Sequence, residues 1–359
     1  MAGKFDLLAT GIIEKDVNND VLWTWCYPSI PSEYKTYIVN KCGLENDLGL
    51  DHSHHSASFY YYHHNYYWFY LHQTDVIEVR SLPKVKQFVL VLQTRDFNPE
   101  KYENLSQILS KAYSETGNPA NVLQLYLSVF VKGTCCTEDN GTFMINTFDT
   151  CNIFSTVPAK DVVNMFGLET ILIFTALLLR KRIIVYHHQM DSLLSFVRTL
   201  PAFMWHRQHS IFIYPYMQLT DIDISELLAQ PAYVAGFQDA AVEGKTELYD
   251  VFVNLPAVEI TVAAHAKEMF IMTKTHKDIA VFMTRKAQIP SMTDKLFIKE
   301  VANKTNELLK GLQNLAVKDE SGQDVIKLSE LKENKITPAL INFLKNLAES
   351  EGYPYILQS

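Results

Sequence analysis

Little in this sequence cross-links or punctuates the chain. Its five cysteines (Cys26, Cys42, Cys135, Cys136, Cys151) are an odd, sparse set without a CxxC pair, which argues against a disulfide framework and for reduced thiols. Glycine and proline, 13 each in 359 residues, exclude collagen and low-complexity repeats. With 48% hydrophobic and 20% charged residues, wholesale disorder is excluded as well. Basic residues are in deficit, 32 against 40 acidic, a net charge of −8. That balance opposes unaided binding to nucleic acid or anionic lipid. The longest strongly apolar run, Ile171–Leu179 with Thr175 inside it, is far short of the roughly 20 residues that span a bilayer. The opening residues carry no secretory leader, and the final Ile-Leu-Gln-Ser carries no prenylation signal. These absences predict a cytosolic protein without direct membrane insertion, whose membrane contact is lent by a partner. Neither a GxxxxGK[ST], a GxGxxG, an HExxH nor a GxSxG occurs. The expectation is therefore no covalent catalysis and no cofactor.

What is present orders into two lobes. At about 150 residues per domain the length allows two, and a chain of this size buries about 75% of its unfolded surface. Strand-type runs at Phe5–Ile13 and Val21–Tyr27 flank Asn18-Asn19-Asp20, a hairpin signal. Ser32–Cys42 reads as a helix with Ser32 as N-cap and Gly43 as its stop. Strands are expected at about Phe59–Leu71, Val76–Arg80 and Phe88–Thr94. Asn98-Pro99 and Gly117-Asn118-Pro119 then open two helices, since Asn caps and proline at the first position loses no hydrogen bond. The order β-β-α-β-β-β-α-α predicts an α+β lobe over residues 1–132, an antiparallel sheet with its helices on one face. Residues 133–158, rich in Gly, Thr, Asn and Asp, read as a linker. From 159 to 359 helices and strands alternate and then become mostly helical, the mark of an α/β lobe on a mainly parallel sheet.

Four local features compete for function. The stretch from Asp51 to His72 carries six of the 12 histidines and six tyrosines. His52, His54, His55, His63 and His64 are metal-ligand types, but a Ser/His-rich loop supplies neither fixed geometry nor outer partners. The preferred reading is a polar loop leading into a tyrosine-rich strand, with no metal. Arg180-Lys181-Arg182 follows a helix due to end near Leu179, where cations satisfy the last carbonyls. His187-His188 and His206/His209 read as strand-end or packing histidines. Most informative is the second strand, where Trp23, Trp25 and Tyr27 alternate with Leu22, Thr24 and Cys26. Period two places the three aromatics on one face. They are either core against the lobe's helices or an outward docking site near a sheet edge, where Trp and Tyr are favoured anchors.

Longer segments carry a family resemblance. Leu168-Glu-Thr-Ile-Leu-Ile-Phe-Thr-Ala-Leu-Leu-Leu-Arg-Lys-Arg-Ile-Ile-Val-Tyr186 resembles the central segment of DENN proteins. Leu200-Pro-Ala-Phe-Met-Trp205 resembles their proline/tryptophan element, and Gln230-Pro-Ala-Tyr-Val-Ala-Gly-Phe237 their Pro-x-aromatic-x-x-Gly run. Leu248-Tyr-Asp-Val-Phe-Val-Asn-Leu255 resembles the strand after it. With Gly11-Ile-Ile-Glu-Lys-Asp16, Trp23-Thr-Trp-Cys-Tyr-Pro28 and Asp96-Phe-Asn-Pro-Glu-Lys-Tyr102, the likeness extends from Gly11 to Leu357. It implies a two-lobed DENN module, with a longin-like N-lobe over 1–132 and the central and downstream DENN parts over 159–359. It further implies a guanine-nucleotide exchange factor for a Rab-family small GTPase, cytoplasmic and peripheral at late endosomes. The same resemblance implies an alternative, a non-catalytic subunit of the Commander endosomal recycling assembly docked on its coiled-coil subunits through Trp23, Trp25 and Tyr27. The only polar residues it offers for GTPase contact are His206 and Arg207, beyond the Trp205 element. A helix C-cap is the competing role for that pair.

Overall fold

The computed structural model describes residues 6–44, 58–77, 79–139, 141–148, 152–318, 324–327, 337–352 and 355–356. The chain divides into two bodies, residues 1–153 with 189–191, and residues 154–188 with 192–359. Each mixes helices with a five-stranded sheet, an α+β fold in two lobes.

The first body runs β1 (Leu7–Asp16), β2 (Val21–Tyr27), α1 (Ser32–Cys42), β3 (Phe59–His64), β4 (Tyr67–Asp75), β5 (Val85–Thr94), α2 (Pro99–Thr116) and α3 (Pro119–Lys132). Its antiparallel sheet has the order β2-β1-β5-β4-β3. The first turn forms because the Asp16 carboxylate accepts the N–H groups of Asn18 (2.7 Å) and Asp20 (2.9 Å), with Asn19 left-handed. Asn98 caps α2 through the Lys101 N–H and Asn118 caps α3 through the Ala120 N–H, as their Asn-Pro pairs predict. Gly43, Gly117 and Gly133 end the three helices in the left-handed region. At the start of α1, Pro31 occupies the cap position and no side chain caps the helix, so Ser32 is not the N-cap.

Three expectations are corrected here. Residues 59–71 are a hairpin rather than one strand, because Asn65 takes a left-handed φ of 56° and reverses the chain. Val76–Arg80 is not a strand among its described residues, and β5 begins at Val85. The helices cover both faces of the sheet, not one. Tyr37 of α1 packs on Tyr62 and stacks on His64 at 3.9 Å, while Tyr102 of α2 packs on Tyr70 at 4.6 Å. Alternate residues of the unbroken aromatic run in β3 serve the two sides. Burial on both faces is the reason this run shows no polar alternation.

Residues 133–158, read as a linker, contain a further hairpin, β6 (Thr134–Thr137) with β7 (Gly141–Met144). Four-residue strands of Thr, Cys and Gly carry too little pattern to be told from loop.

The second body begins with α4 (Ala159–Phe166) and α5 (Thr170–Leu178), separated by a tight turn at Gly167–Glu169. Residues 159–178 are long and apolar enough by composition to cross a membrane, but this turn breaks them and most of their surface is buried inside the body. There follow β8 (Ile183–Tyr186), α6 (Met190–Thr199), β9 (Ile213–Met217), α7 (Asp221–Leu228), β10 (Val234–Phe237), β11 (Val251–Asn254) and β12 (Glu259–Val262). The sheet order is β12-β11-β8-β10-β9, parallel except for the edge strand β12. Gly236 permits the close packing of β10, since a Cβ there would stand 2.3 Å from the Pro215 carbonyl oxygen. Helices α8 (Lys274–Ala287) and α9 (Asp294–Gln313) come next. Short strands β13 (Ala316–Lys318) and β14 (Asp324–Lys327), helix α10 (Pro338–Ser350) and strand β15 (Tyr355–Ile356) complete the described chain.

At the start of α8, Thr273 and His276 cap each other, and the Thr273 N–H donates to His276 Nδ1. His276 is buried edge-on to Phe343 of α10, 4.4 Å between rings. Burial holds its pKa down from 6.5 to about 4. An unfolded histidine takes up its proton near pH 6.5 and this one does not. Its contribution to stability is thus whole above pH 6.5 and lost as pH falls towards 4. Denaturant midpoints should fall across that window. His276→Gln, which keeps an acceptor for the Thr273 N–H, should reduce the slope and leave the share of His72, which burial likewise holds down to about 4; an unchanged slope would place the titration elsewhere.

Candidate partner-binding surfaces

The aromatic strand β2 lies at a sheet edge, but its three large residues do not share a face. Tyr27 pairs with Thr10, Trp25 with Ile12 and Trp23 with Ile13. Thr24 is thus an extra residue in a β-bulge, and the alternation changes phase across it. Trp23 turns to the α1 side, where its indole N–H donates to the Lys35 carbonyl (3.2 Å). There its ring lies so close over Gly11 that a Cβ at that position would stand 2.5 Å from it. Trp23 is therefore a packing residue, and Gly11 is glycine because the indole occupies its side-chain space.

Trp25 and Tyr27 share the opposite face. Tyr27 is 41% exposed and meets Tyr126 of α3 edge-on at 5.8 Å. The Tyr126 phenol, pushed up to about 12 by burial and by Tyr27, remains a donor to the Leu8 carbonyl (2.9 Å). With Leu7, Pro28, Leu127 and Phe130 they line an open groove of about 410 Å³, with Arg95 at its margin. Leu127, Phe130 and Val131 are all exposed, making this an apolar, aromatic surface of the kind that anchors a protein partner. The α3 contribution was not among the expected site residues. Its signal was present, because Val122–Val131 is apolar on more of its circumference than one core-facing stripe needs.

His206 and Arg207 lie in the irregular helical segment 200–210 before β9. Arg207 is nearly buried and spent within the body. Its guanidinium donates to the carbonyls of Leu177 (3.0 Å) and Leu178 at the end of α5, and pairs with Glu351 just past α10. His206 approaches the same carboxylate at 3.5 Å. The structure thus places Arg207 as the cation at the end of α5, the role expected of Arg180-Lys181-Arg182. Arg182 instead grips Asp250 ahead of β11, through Nη2 at 3.1 Å and through its own backbone N–H at 2.8 Å. His265 reaches that carboxylate too, at 3.0 Å.

Other titratable groups are structural as well. Asp96 accepts from the Lys101 ammonium (2.9 Å) and from the Tyr102 hydroxyl, closing the start of α2. Glu14 accepts from Thr24 (2.7 Å) and Tyr113. His63 and His64 stand on opposite faces of β3 and cannot converge on one ion, while His52, His54 and His55 lie outside the described residues. Among the described residues no three His, Cys, Asp or Glu side chains group as a metal site.

Residues 158–264 match the family model described as "SPA: Stabilization of polarity axis". Similarity to curated relatives runs nearly end to end. DENN domain-containing protein 10 of Danio rerio is 39% identical over 345 residues, 96% of this chain and 97% of the relative. The Homo sapiens protein of that name is 38% identical over 346 residues, 96% of each. That of Dictyostelium discoideum is 34% identical over 351 residues, 95% of this chain and 96% of its own length. Coverage of 95–96% of the chain takes the relationship across both bodies. The chain belongs to the DENN domain-containing protein 10 family.

Proposed function

We propose that this protein is a guanine-nucleotide exchange factor for a Rab-family small GTPase, acting from the cytoplasm at late endosomes in their homeostasis and trafficking. The observation that carries the proposal is the end-to-end relationship to proteins named for the DENN domain. Exchange of this kind needs no covalent chemistry. The protein must bind the empty GTPase better than the GDP form, and by reciprocity its binding weakens nucleotide binding by the same factor. A shift of about 10⁴-fold needs about 5.5 kcal/mol of differential contact. The test is a lysate pull-down with and without EDTA, followed by nucleotide-release kinetics on the retained GTPase. A Rab held only after nucleotide stripping, and emptied faster in the presence of this protein, is the expected result. Retention that ignores EDTA, or release at the spontaneous rate, would overturn it.

The Tyr27–Phe130 groove favours a second reading alongside the first, a subunit of the Commander assembly that docks on coiled-coil partners. An amphipathic helix seats its apolar face in such a groove. Tyr27→Asp should then abolish retention of long coiled-coil proteins. It should shift folding stability by no more than about 1 kcal/mol, because the residue is substantially exposed. A steep fall in melting temperature with partner retention intact would mean that Tyr27 is core.

A further inference from the structure

The basic triplet after α5 remains partly unused. Arg182 is bound to Asp250, but neither Arg180 nor Lys181 has a carboxylate within ion-pairing distance among the described residues. Arg180 also has an unusual backbone. Its φ is +50°, at the residue where α5 ends in a glycine-type turn: the Lys181 N–H reaches the Ala176 carbonyl (2.8 Å) and the Arg180 N–H that of Leu177 (3.3 Å). Glycine is the residue such a turn prefers, and a side chain there costs about 1 kcal/mol. A guanidinium is held where folding alone would select against it.

Beside this turn a cleft of about 140 Å³ opens at the N-terminal ends of β8, β9 and β10. Its walls are Leu177, Phe212, Pro231 and Tyr233, with Arg180 and Lys181 at the margin. Phe212 is 49% exposed. The Tyr233 hydroxyl is committed to the Leu248 carbonyl, leaving only its ring to the cleft. A dry cavity of about 150 Å³ holds one benzene ring, so the space suits one large apolar side chain. Arg207, also in the lining, keeps a buried Nε–H without a hydrogen-bond partner. Arg207 is paired with Glu351, whose charge Arg180 also feels, so the margin keeps two cations outside any ion pair, Arg180 and Lys181, on a protein that is acidic at −8 as a whole.

We propose that this cleft binds an acidic peptide segment carrying one large apolar side chain, its carboxylates meeting Arg180 and Lys181 and its apolar group entering between Phe212, Pro231 and Tyr233. The cleft shares no lining residue with the Tyr27 groove.

The test is selection of a random heptapeptide phage library on the full-length protein, with an Arg180→Gly variant as the subtractive control. The recovered peptide is then measured by fluorescence polarisation. Arg180→Gly suits the test because glycine favours the left-handed turn, so its melting temperature should hold or rise. The expected result is a consensus of Asp or Glu flanking one aromatic or aliphatic residue. Affinity should fall about tenfold in Arg180→Gly, weaken as salt rises from roughly 0.05 to 0.3 M, and fall again in Phe212→Ser. No enriched sequence, a consensus without acids, or equal affinity for Arg180→Gly would overturn the proposal. So would phosphatidylserine vesicles binding in an Arg180-dependent way while no peptide is selected, which would make the cleft a lipid site.

Discussion

Asp96→Ala should cost the first body about 3–5 kcal/mol, the penalty of stranding a buried charge. Lys101 is only 1% exposed, and its ammonium is satisfied by Asp96 at 2.9 Å and by the face of the Tyr102 ring at 4.6 Å from its centroid. Without the carboxylate, the ammonium keeps the ring and the more distant charge of Asp6, and the Tyr102 hydroxyl loses its acceptor. The damage should centre on the start of α2, where Asn98 caps the helix and the Tyr70 hydroxyl accepts the Asn98 N–H (2.8 Å). Because the chain folds as two bodies, one global midpoint would blur the effect. Hydrogen exchange resolved by segment separates them, and α2 with β5 should lose protection while β8 to β11 keep theirs. Adding Lys101→Met to Asp96→Ala should recover much of the loss, since an apolar side chain in place of a buried ion is well tolerated. A single-variant cost below about 1 kcal/mol would mean that the ion pair does not hold this helix.

Arg207→Met should destabilise the second body by about 3 kcal/mol and lower its melting temperature by roughly 5 °C or more. The guanidinium joins the end of α5 to the end of α10, taking the Leu177 and Leu178 carbonyls on one side and Glu351 on the other. Ser350 adds a hydroxyl bond to the Leu178 carbonyl at 3.0 Å, which the variant keeps. Methionine fills the volume but takes the charged donor from the half-buried Glu351 carboxylate, which keeps only the long His206 contact, and the guanidinium donor from the Leu177 carbonyl. Hydrogen exchange should therefore rise first in α10. This outcome separates the structural role from the GTPase contact expected for the residue. A variant that melts like the parent and only binds a GTPase more weakly would restore the contact and remove the latch.

Much of the architecture was legible because the features concerned are local. Asn98-Pro99 and Asn118-Pro119 open helices by hydrogen bonds that span two or three residues, and Gly43, Gly117 and Gly133 close them by backbone freedom. Alternation of helix and strand beyond residue 159 indicated the parallel sheet, and the buried α5 followed from a run apolar on all sides. The errors fell where a local rule met a distant partner. The turn at Asn65 has neither glycine nor proline to mark it. The β6–β7 hairpin and β12 are four-residue strands whose pairing, not composition, makes them strands.

The candidate site was legible only in part. Of the three aromatics only Tyr27 lines the apolar groove, and the period-two rule that grouped it with Trp23 failed at one inserted residue, because the bulge opposite Ile12 and Ile13 exists only in the pairing of two strands. Leu127 and Phe130 join the groove from a helix about 100 residues away in sequence, a proximity no spacing rule contains.

The sequence by itself determined the two-lobed α+β plan, the helix boundaries and the family, because caps, periodicity and long ordered similarity are properties of the chain read in one dimension. Only the tertiary structure decided which side each aromatic faces, that Arg207 rather than the 180–182 triplet supplies the cation at the end of α5, and that Arg180 and Lys181 are left beside an apolar cleft. Those outcomes depend on which groups compete for the same carbonyl or carboxylate, and that competition is set once the strands and helices have packed.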